Sequence, residues 1–275
     1  MDTAKLNGIE LQYETTGSGD SVLLISTGPI ADSFLPLVTE KALADRYRLI
    51  RYRQRRLAAG TRDPAPVSFE QHAADAAALL GHLGIARAHV AGHSTGALIA
   101  LQLAVDRPEI VHTLALLEPT LVSVPSAAAF FEKAGPAVAA YGAGDREKAM
   151  AAFLSVVGGL DWETCRTQID KHIPGGVAQA VKDTDNFFAS YLPSLSAWQF
   201  GARQADAISQ PVLSVLGTNT ERWFADGHEL LLTWFPQLED CRIEDVGHLL
   251  HMQRPEPVAR GLAEFFARHP IGGNE

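Results

Sequence analysis

The sequence predicts an α/β fold in which a mostly parallel sheet is covered by helices on both faces. Two observations lead to this class. Continuous apolar runs typical of buried strands alternate with helical patterns along most of the chain. The composition, 47% hydrophobic and 20% charged over 275 residues, supplies ample material for a core. Length alone leaves open two small domains or one large α/β domain.

The predicted elements alternate between strand and helix. An Asn7-Gly8 turn between two short runs predicts a hairpin. Ser68 has the features of a helix cap, and the apolar residues that follow it fall on one helical face. Strands are expected at 21–26, 47–53, 88–91, 111–117, 211–217 and 241–246. Helices are expected at 34–44, from Ser68 to about residue 84, and at 97–104, 225–234 and 256–268.

The alternation is interrupted once. Residues 120–205 contain helical patterns and Gly/Pro interruptions but no convincing buried strand, and the strand pattern resumes at 211. We therefore predict a core formed by 1–119 and 206–275, with a helical lid inserted at 120–205.

Composition excludes several function classes. The net charge of −9 argues against a nucleic-acid partner. Cys165 and Cys241 have no spacing typical of a zinc site or a disulfide framework. The first residues resemble no targeting segment, and no apolar run approaches the ~18 residues that span a bilayer. We expect a cytoplasmic protein without membrane contact. The sequence does not determine the oligomeric state, and a homodimer is one possibility.

Residues 90–96 read Val-Ala-Gly-His-Ser-Thr-Gly and contain the most informative motif. The pattern Gly92-x-Ser94-x-Gly96 ends a predicted strand and opens a predicted helix. A serine at such a turn needs small neighbours on both sides, because strand and helix backbones pass close together. It gains an exposed hydroxyl and a following N–H at a helix N-terminus. The alternative is a tight turn with a buried structural serine.

A nucleophilic serine needs a base, and ten histidines compete for that role. His248 follows the last predicted strand on a loop, from which it can reach across the sheet edge, so we favour it. His251 is the nearest competitor. His93 adjoins Ser94, but neighbours in a strand point to opposite faces, which favours a structural or supporting role. With an ordinary imidazole, activity should rise through an apparent pKa of ~6–7.

With these residues the chain resembles the α/β-hydrolase superfamily over essentially its whole length. The resemblance includes the hairpin, the Thr27-Gly28 turn, the Gly-x-Ser-x-Gly motif, the insertion and the late histidine. It implies a mostly parallel eight-stranded sheet. It also implies ester-type hydrolysis without metal or organic cofactor.

The acid of the expected triad has two candidates. Most of the superfamily carries it after the strand at 211–217, where this chain has no carboxylate before Glu221. A rarer arrangement, similar to zearalenone-type lactonases, places it after the strand that follows the serine helix, where Glu118 stands. A carboxylate directly after an apolar strand is costly to bury without a partner, and a histidine would be that partner. We favour Glu118, whose alternative role is that of a helix-capping or surface carboxylate.

The resemblance implies an oxyanion hole built from the N–H of Thr95 and one N–H of the turn at 27–30. Pro29 has no N–H, which leaves Gly28 or Ile30. We favour Gly28, because glycine lets the backbone approach a substrate closely.

The surroundings of the predicted site suggest an apolar pocket. The insertion is rich in aromatic residues, which favours an acyl or lactone pocket over a sugar or peptide cleft. As lining residues we name Ile30, His93, Trp162, Phe187 and Tyr191. Four arginines lie within residues 51–56, in a segment to residue 60 where relatives tend to be richer in glycine. They fit either a site for an anionic substrate or, as we favour, an ion-paired loop.

The leading hypothesis is a serine hydrolase of small carboxylic esters or lactones. The alternatives are a C–C bond hydrolase or a cofactor-free oxygenase on the same scaffold, and a non-catalytic ligand receptor. A haloalkane dehalogenase is disfavoured, since that chemistry needs a carboxylate nucleophile and residue 94 is serine.

Overall fold

A computed structural model describes residues 1–57 and 66–272 of the chain. Its centre is an eight-stranded sheet with the order β1-β2-β4-β3-β5-β6-β7-β8, in which β3 to β8 pair in parallel. The strands are β1 (Asp2–Leu6), β2 (Ile9–Thr16), β3 (Asp20–Ile25), β4 (Tyr47–Tyr52), β5 (Ala88–His93), β6 (Val111–Leu117), β7 (Val212–Gly217) and β8 (Glu239–Ile243). The predicted mostly parallel sheet is confirmed.

The predicted hairpin forms the antiparallel edge of the sheet. Leu6 pairs with Ile9 across a two-residue turn in which Asn7 and Gly8 both have positive φ, 48° and 75°. This backbone matches the twist of the flanking strands, and Asn-Gly adopts it at low cost.

Fourteen α-helices join and flank the strands in the described part of the chain. They are α1 (Lys41–Ala44), α2 (Phe69–His82), α3 (Thr95–Asp106), α4 (Ala127–Lys133), α5 (Gly135–Gly142), α6 (Arg146–Gly158), α7 (Trp162–His172), α8 (Gly176–Lys182), α9 (Thr184–Asn186), α10 (Leu192–Ala197), α11 (Ala202–Ala205), α12 (Arg222–Trp234), α13 (Leu250–Gln253) and α14 (Pro255–Arg268). A 3₁₀ turn spans Leu37–Thr39 and a π-helical turn spans Phe187–Tyr191.

Both faces of the sheet are covered, and the alternation of side chains along each strand divides the core in two. On one face Leu23 and Ile25 pack with α2, α3 and α12. On the other face Val22 and Leu24 pack with α14. The central strands β5, β6 and β7 are therefore buried at nearly every position, as expected for parallel strands between two helical layers.

The start of α2 is confirmed in detail. The Ser68 side chain accepts a hydrogen bond from the backbone N–H of Gln71, and the Gln71 side chain accepts one from the N–H of Ser68. This reciprocal capping satisfies donors that the first helical turn leaves without partners.

The predicted helix at 34–44 was wrong for most of its length. Turns and a 3₁₀ segment occupy residues 31–39, and only Lys41–Ala44 is α-helical. Glu40 is extended, with φ −74° and ψ 124°, and separates the two pieces. The last predicted strand, expected at 241–246, is displaced to Glu239–Ile243.

The segment between β6 and β7 contains only helices and turns in the structure. Its helices α5 to α8 and the π-helical turn form a separate apolar cluster around Ala149, Ile169 and Phe187, which also includes Ile30 and Leu249 of the core. Among the described residues, no helix combines the length and the apolar character needed to cross a membrane.

Candidate active site

Ser94 lies at a sharp turn between β5 and α3. Its backbone has φ 56° and ψ −121°, a conformation that costs free energy for any residue with a side chain. A Cβ at Gly92 would collide with the carbonyl oxygen of Gly96, and one at Gly96 with that of Ile25. The two glycines are therefore required by close backbone packing, and the turn places Ser94 at the carboxyl edge of the sheet.

Glu118 and His248 are brought together at the same edge. Glu118 directly follows β6 and has a positive φ of 45°, which turns the chain away from the strand direction. The Nδ1 atom of His248 lies 2.8 Å from Oε2 of Glu118, within hydrogen-bond distance. Both side chains are buried. His248 belongs to the loop between β8 and α13, as expected for a histidine after the last strand.

The carboxylate of Glu118 has two further hydrogen bonds from the end of the neighbouring strand. The N–H of Gly217 donates to Oε1 at 2.8 Å, and the hydroxyl of Thr220 donates to Oε2 at 2.8 Å. Sequence reasoning missed both donors. In the sequence, the segment 217–220 is notable only for having no carboxylate, but its position after β7, the strand next to β6, is a signal that it surrounds the acid.

Glu221 lies apart from His248. It occupies the position before α12, and its Oε2 accepts a hydrogen bond from Nζ of Lys133 at 2.8 Å, in a partly exposed ion pair. The structure thus pairs His248 with Glu118 and gives Glu221 a different partner.

Two aromatic rings contact the imidazole of His248. Phe224 stacks on it with ring centroids 3.8 Å apart, and the ring of His93 lies 4.5 Å away. The Nε2 atom of His93 lies 2.9 Å from the carbonyl oxygen of His248 and donates to it. His251, the competing candidate, lies 4.2 Å from His93 and 4.9 Å from Phe34. His93 therefore supports the loop that carries His248. The stacking of Phe224 on His248 is a contact that the sequence did not predict.

The expectation of an ordinary imidazole pKa was wrong, because the pair is buried. Burial raises the pKa of Glu118 to about 8, although the hydrogen bonds from Gly217 and Thr220 act to lower it. Burial also lowers the pKa of His248. Both charged forms are disfavoured where water is excluded, so the two groups titrate as a coupled pair.

Ser94 and His248 line a common cavity with about 570 Å³ of empty space, part of it open to solvent. The predicted residues Ile30, His93, Phe187 and Tyr191 line it. Further apolar lining comes from Phe130, Phe131, Phe153, Leu154, Val157, Leu192, Leu195, Trp223, Phe224 and Leu249. Most of this apolar wall therefore comes from the helices between β6 and β7.

Trp162 does not line the cavity, so its prediction as a lining residue was wrong. It is the first residue of α7 and packs, partly exposed, against the apolar cluster of the inserted helices. Spacing along the insertion could not distinguish aromatic residues that face the sheet from those that join helices to one another.

The turn at 27–30 differs from the prediction at Gly28. Its N–H already donates to the Thr95 hydroxyl oxygen at 2.9 Å. A Cβ at this position would lie 2.9 Å from Cδ1 of Tyr191. Because Gly28 has no side chain, the Tyr191 ring packs against its backbone. The expected close approach of a substrate to Gly28 is therefore not what the glycine serves. Thr27, Pro29, Ile30 and Thr95 line the cavity.

The arginines at 51–56 are ion-paired where their partners are described. Arg51 and Arg53 both contact Asp32 at 2.6 Å, and Arg55 contacts the buried Asp75 at 2.6 Å. This favours the ion-paired loop over an anion site. Residues 58–60, which end the segment in which relatives are richer in glycine, lie outside the described residues. In the described ranges no group of three or more metal-ligating side chains comes together.

Comparison with known proteins places this geometry in a family. The model of the alpha/beta hydrolase fold matches residues 26–255. The chain belongs to the α/β-hydrolase fold family. It is 36% identical over 109 residues to a protein of Azorhizobium caulinodans named "Putative carbamate hydrolase RutD". That match covers 39% of this chain and 40% of the relative, so it spans less than half of either protein.

Solved structures share the fold over nearly the full length. A thermophilic esterase from Thermogutta terrifontis superposes with a TM-score of 0.75 and 23% identity, covering 98% of this chain and 97% of its own. The enol-lactonase from Burkholderia xenovorans LB400 superposes with a TM-score of 0.69 and 19% identity, covering 97% of this chain and 100% of its own. At these identities the likeness shows the fold alone.

Proposed function

We propose that this protein hydrolyses carboxylic esters or lactones with an apolar acyl portion, using Ser94, His248 and Glu118. The contact between Glu118 Oε2 and His248 Nδ1 carries the proposal. A carboxylate at Nδ1 fixes the tautomer in which Nε2 carries no proton, and that nitrogen is the one available to Ser94. This contact supports the order serine, imidazole, carboxylate, which is the order that acyl transfer needs.

The chemistry follows from these positions. Ser94 Oγ attacks the substrate carbonyl carbon, and its proton passes to Nε2 of His248 as the carbonyl oxygen becomes an oxyanion. Collapse of the tetrahedral intermediate breaks the bond to the leaving alcohol, which takes the proton from Nε2. Water then attacks the acyl-enzyme with His248 as base, which releases the acid and restores Ser94. Glu118 stabilises the imidazolium in both halves.

The substrate class follows from the cavity lining. Phe130, Phe153, Phe187 and Leu195 present hydrocarbon around Ser94, which favours an alkyl or aryl acyl group over a charged one. We assign the helices of residues 120–205 the role of a lid over the serine, with 1–119 and 206–275 as the core. The relative named as a carbamate hydrolase makes carbamates a sensible third carbonyl class to test.

The test combines labelling with turnover. The wild-type protein should react with a fluorophosphonate at Ser94, release a burst of p-nitrophenol from p-nitrophenyl butyrate, and hydrolyse an alkyl lactone. Ser94→Ala should lower kcat by several orders of magnitude and leave residual catalysis of ~10³–10⁴-fold over water. Ser33→Ala, a buried serine that does not line the cavity, is the matched control.

The other candidate activities predict different results. A receptor would bind a butyrate ester without releasing p-nitrophenol. A C–C bond hydrolase would cleave a vinylogous diketone faster than any ester. An oxygenase would still consume O₂ in the Ser94→Ala variant, in which serine-dependent hydrolysis is lost.

A further inference from the structure

The oxyanion created by attack on an ester needs at least two hydrogen-bond donors, and the N–H of Gly28, which the sequence favours as the second of them, is engaged elsewhere in the structure. The N–H of Thr95 belongs to the first residue of α3, where N–H groups have no partner within the helix. Across the cavity, Pro29 has no N–H, and the N–H of Gly28 is directed at the Thr95 side chain.

The Thr95 hydroxyl is held by that contact. Its oxygen accepts the Gly28 N–H at 2.9 Å and lies 3.4 Å from the hydroxyl oxygen of Thr27. The Thr95 side chain is buried, it lines the cavity, and it directly follows Ser94. Since the oxygen accepts from Gly28, its own proton can be donated, either to the Thr27 hydroxyl oxygen at 3.4 Å or to a substrate oxygen in the cavity.

We propose that the Thr95 hydroxyl is the second oxyanion donor, so that Thr95 supplies both hydrogen bonds, one from its N–H and one from its side chain. This rests on the proposed function and changes the role expected for Gly28. The glycine does not touch the substrate oxygen; it donates to the hydroxyl that does. A donor that accepts a hydrogen bond itself becomes a stronger donor, because the chain of hydrogen bonds is polarised in one direction.

The hydroxyl exchanges no proton with substrate. It donates a hydrogen bond to the carbonyl oxygen, strengthens that bond as negative charge develops, and returns to the ground-state contact when the intermediate collapses. An interaction that strengthens only in the transition state raises kcat and leaves ground-state binding almost unchanged.

The test uses Thr95→Val, which keeps the N–H and the shape of the side chain and removes the hydroxyl. We expect kcat for p-nitrophenyl butyrate to fall by ~10²–10³-fold with little change in KM, the loss typical of one oxyanion donor. Thr95→Ser restores the hydroxyl and should recover most of the activity. Thr113→Val, which removes a buried hydroxyl that contacts His89 far from Ser94, is the control for loss of a buried hydrogen bond.

A second readout separates catalysis from folding. An alkyl trifluoromethyl ketone forms a tetrahedral adduct with Ser94, and its Ki should rise in Thr95→Val by the same factor as kcat falls. Butyrate, the ground-state product, should bind as in wild type, and circular dichroism and Tm should show a folded protein.

The outcomes that overturn the proposal are distinct. If Thr95→Val retains kcat, the second donor is a backbone group such as the N–H of Ile30. If Thr27→Val shows the large loss and Thr95→Val does not, the neighbouring hydroxyl is the donor. In both results the proposed function stands. If wild type hydrolyses no ester, lactone or carbamate and Ser94 resists the fluorophosphonate, the proposed function fails and this assignment fails with it.

Discussion

The imidazole of His248 stacks on the ring of Phe224, with centroids 3.8 Å apart and planes 12° apart. Phe224 lies near the start of α12 and is fully buried, so it covers one face of the imidazole. The hydrogen bond to Glu118 holds one edge of the same ring. Together these contacts fix the plane in which Nε2 of His248 lies, and that plane decides whether the nitrogen can reach Ser94.

Phe224→Leu should therefore impair catalysis more than it impairs folding. The smaller side chain leaves the imidazole free to tilt, and a displacement of ~1 Å at a reacting group can cost about 10²-fold in rate. We expect kcat/KM to fall by ~10–100-fold, measured with p-nitrophenyl butyrate. Phe265→Leu, a fully buried phenylalanine of α14, is the matched control for lost core volume. Equal losses in the two variants would mean that Phe224 only fills the core.

Replacement of the two candidate acids by glutamine should give opposite results. Glu118→Gln keeps the shape but allows the amide to donate to Nδ1, which favours the wrong tautomer and should cost on the order of 10⁴-fold in kcat. Glu221→Gln removes only a partly exposed ion pair with Lys133, and such pairs contribute ~0–1 kcal/mol to stability. We expect its kcat to stay near wild type. The reverse order of losses would assign the acid to Glu221.

Position along the chain was enough to locate the principal groups of this site. Parallel strands end at one sheet edge, so residues that directly follow β5 and β6 must lie near one another. This reasoning located Ser94 and Glu118. The burial cost of a carboxylate after an apolar strand pointed to a partner for Glu118. The hydrogen bond at 2.8 Å to His248 shows such a partner.

Side-chain packing across elements could not be predicted in the same way. Gly28 was assigned to substrate contact because glycine exposes its backbone, but the space at Gly28 is filled by Tyr191, which lies more than 160 positions later in the sequence. The segment before Glu221 offers no carboxylate in the sequence, yet the hydroxyl of Thr220 within it donates to Glu118. Both cases concern contacts between segments distant in sequence, which motif spacing does not encode.

Burial of the Glu118–His248 pair shifts the expected pH dependence of activity upward. In the proposed mechanism the active form has an ionised Glu118 and a neutral His248, and it forms when the pair loses its last shared proton. Burial opposes that loss and raises the pKa of Glu118 to about 8. We therefore expect kcat/KM to rise with pH through an apparent pKa above the ordinary imidazole value of ~6.5, toward 8.

A matched pair of threonine variants tests the cause of that shift. Thr220→Val removes a hydrogen-bond donor to the Glu118 carboxylate. It should move the rising limb of the pH profile of kcat/KM to still higher pH. Thr218→Val removes a hydroxyl that accepts from the Asp245 N–H instead, and should leave the limb in place. A wild-type limb at or below ~6.5 would show that the pair is better solvated than the structure indicates.

Buried histidines outside the pair should make the fold sensitive to acid. Burial lowers the pKa of His72 and of His89 to about 3, and burial also lowers the pKa of His93, His228 and His251. In the unfolded chain these groups take up protons below ~6.5, so the unfolded state binds more protons than the folded state as the pH falls. Their contribution to the free energy of unfolding is fully present above pH ~6.5. It is lost as the pH falls from ~6.5 to the lowered pKa values that these histidines have in the folded protein.

The size of the effect makes it measurable by urea unfolding at several pH values. Each such histidine costs up to ~1.4 kcal/mol of stability per pH unit below ~6.5, against a total of ~5–15 kcal/mol for a typical domain. We expect the free energy of unfolding to fall as the pH is lowered from 6.5 to 5. His89→Gln removes one titrating group, stacked at 4.5 Å on Phe266, and should flatten that slope by ~1.4 kcal/mol per pH unit whatever it does to stability at pH 7. A free energy of unfolding that is constant from pH 7 to 5 would show that these imidazoles are reached by water and protonate in the folded state.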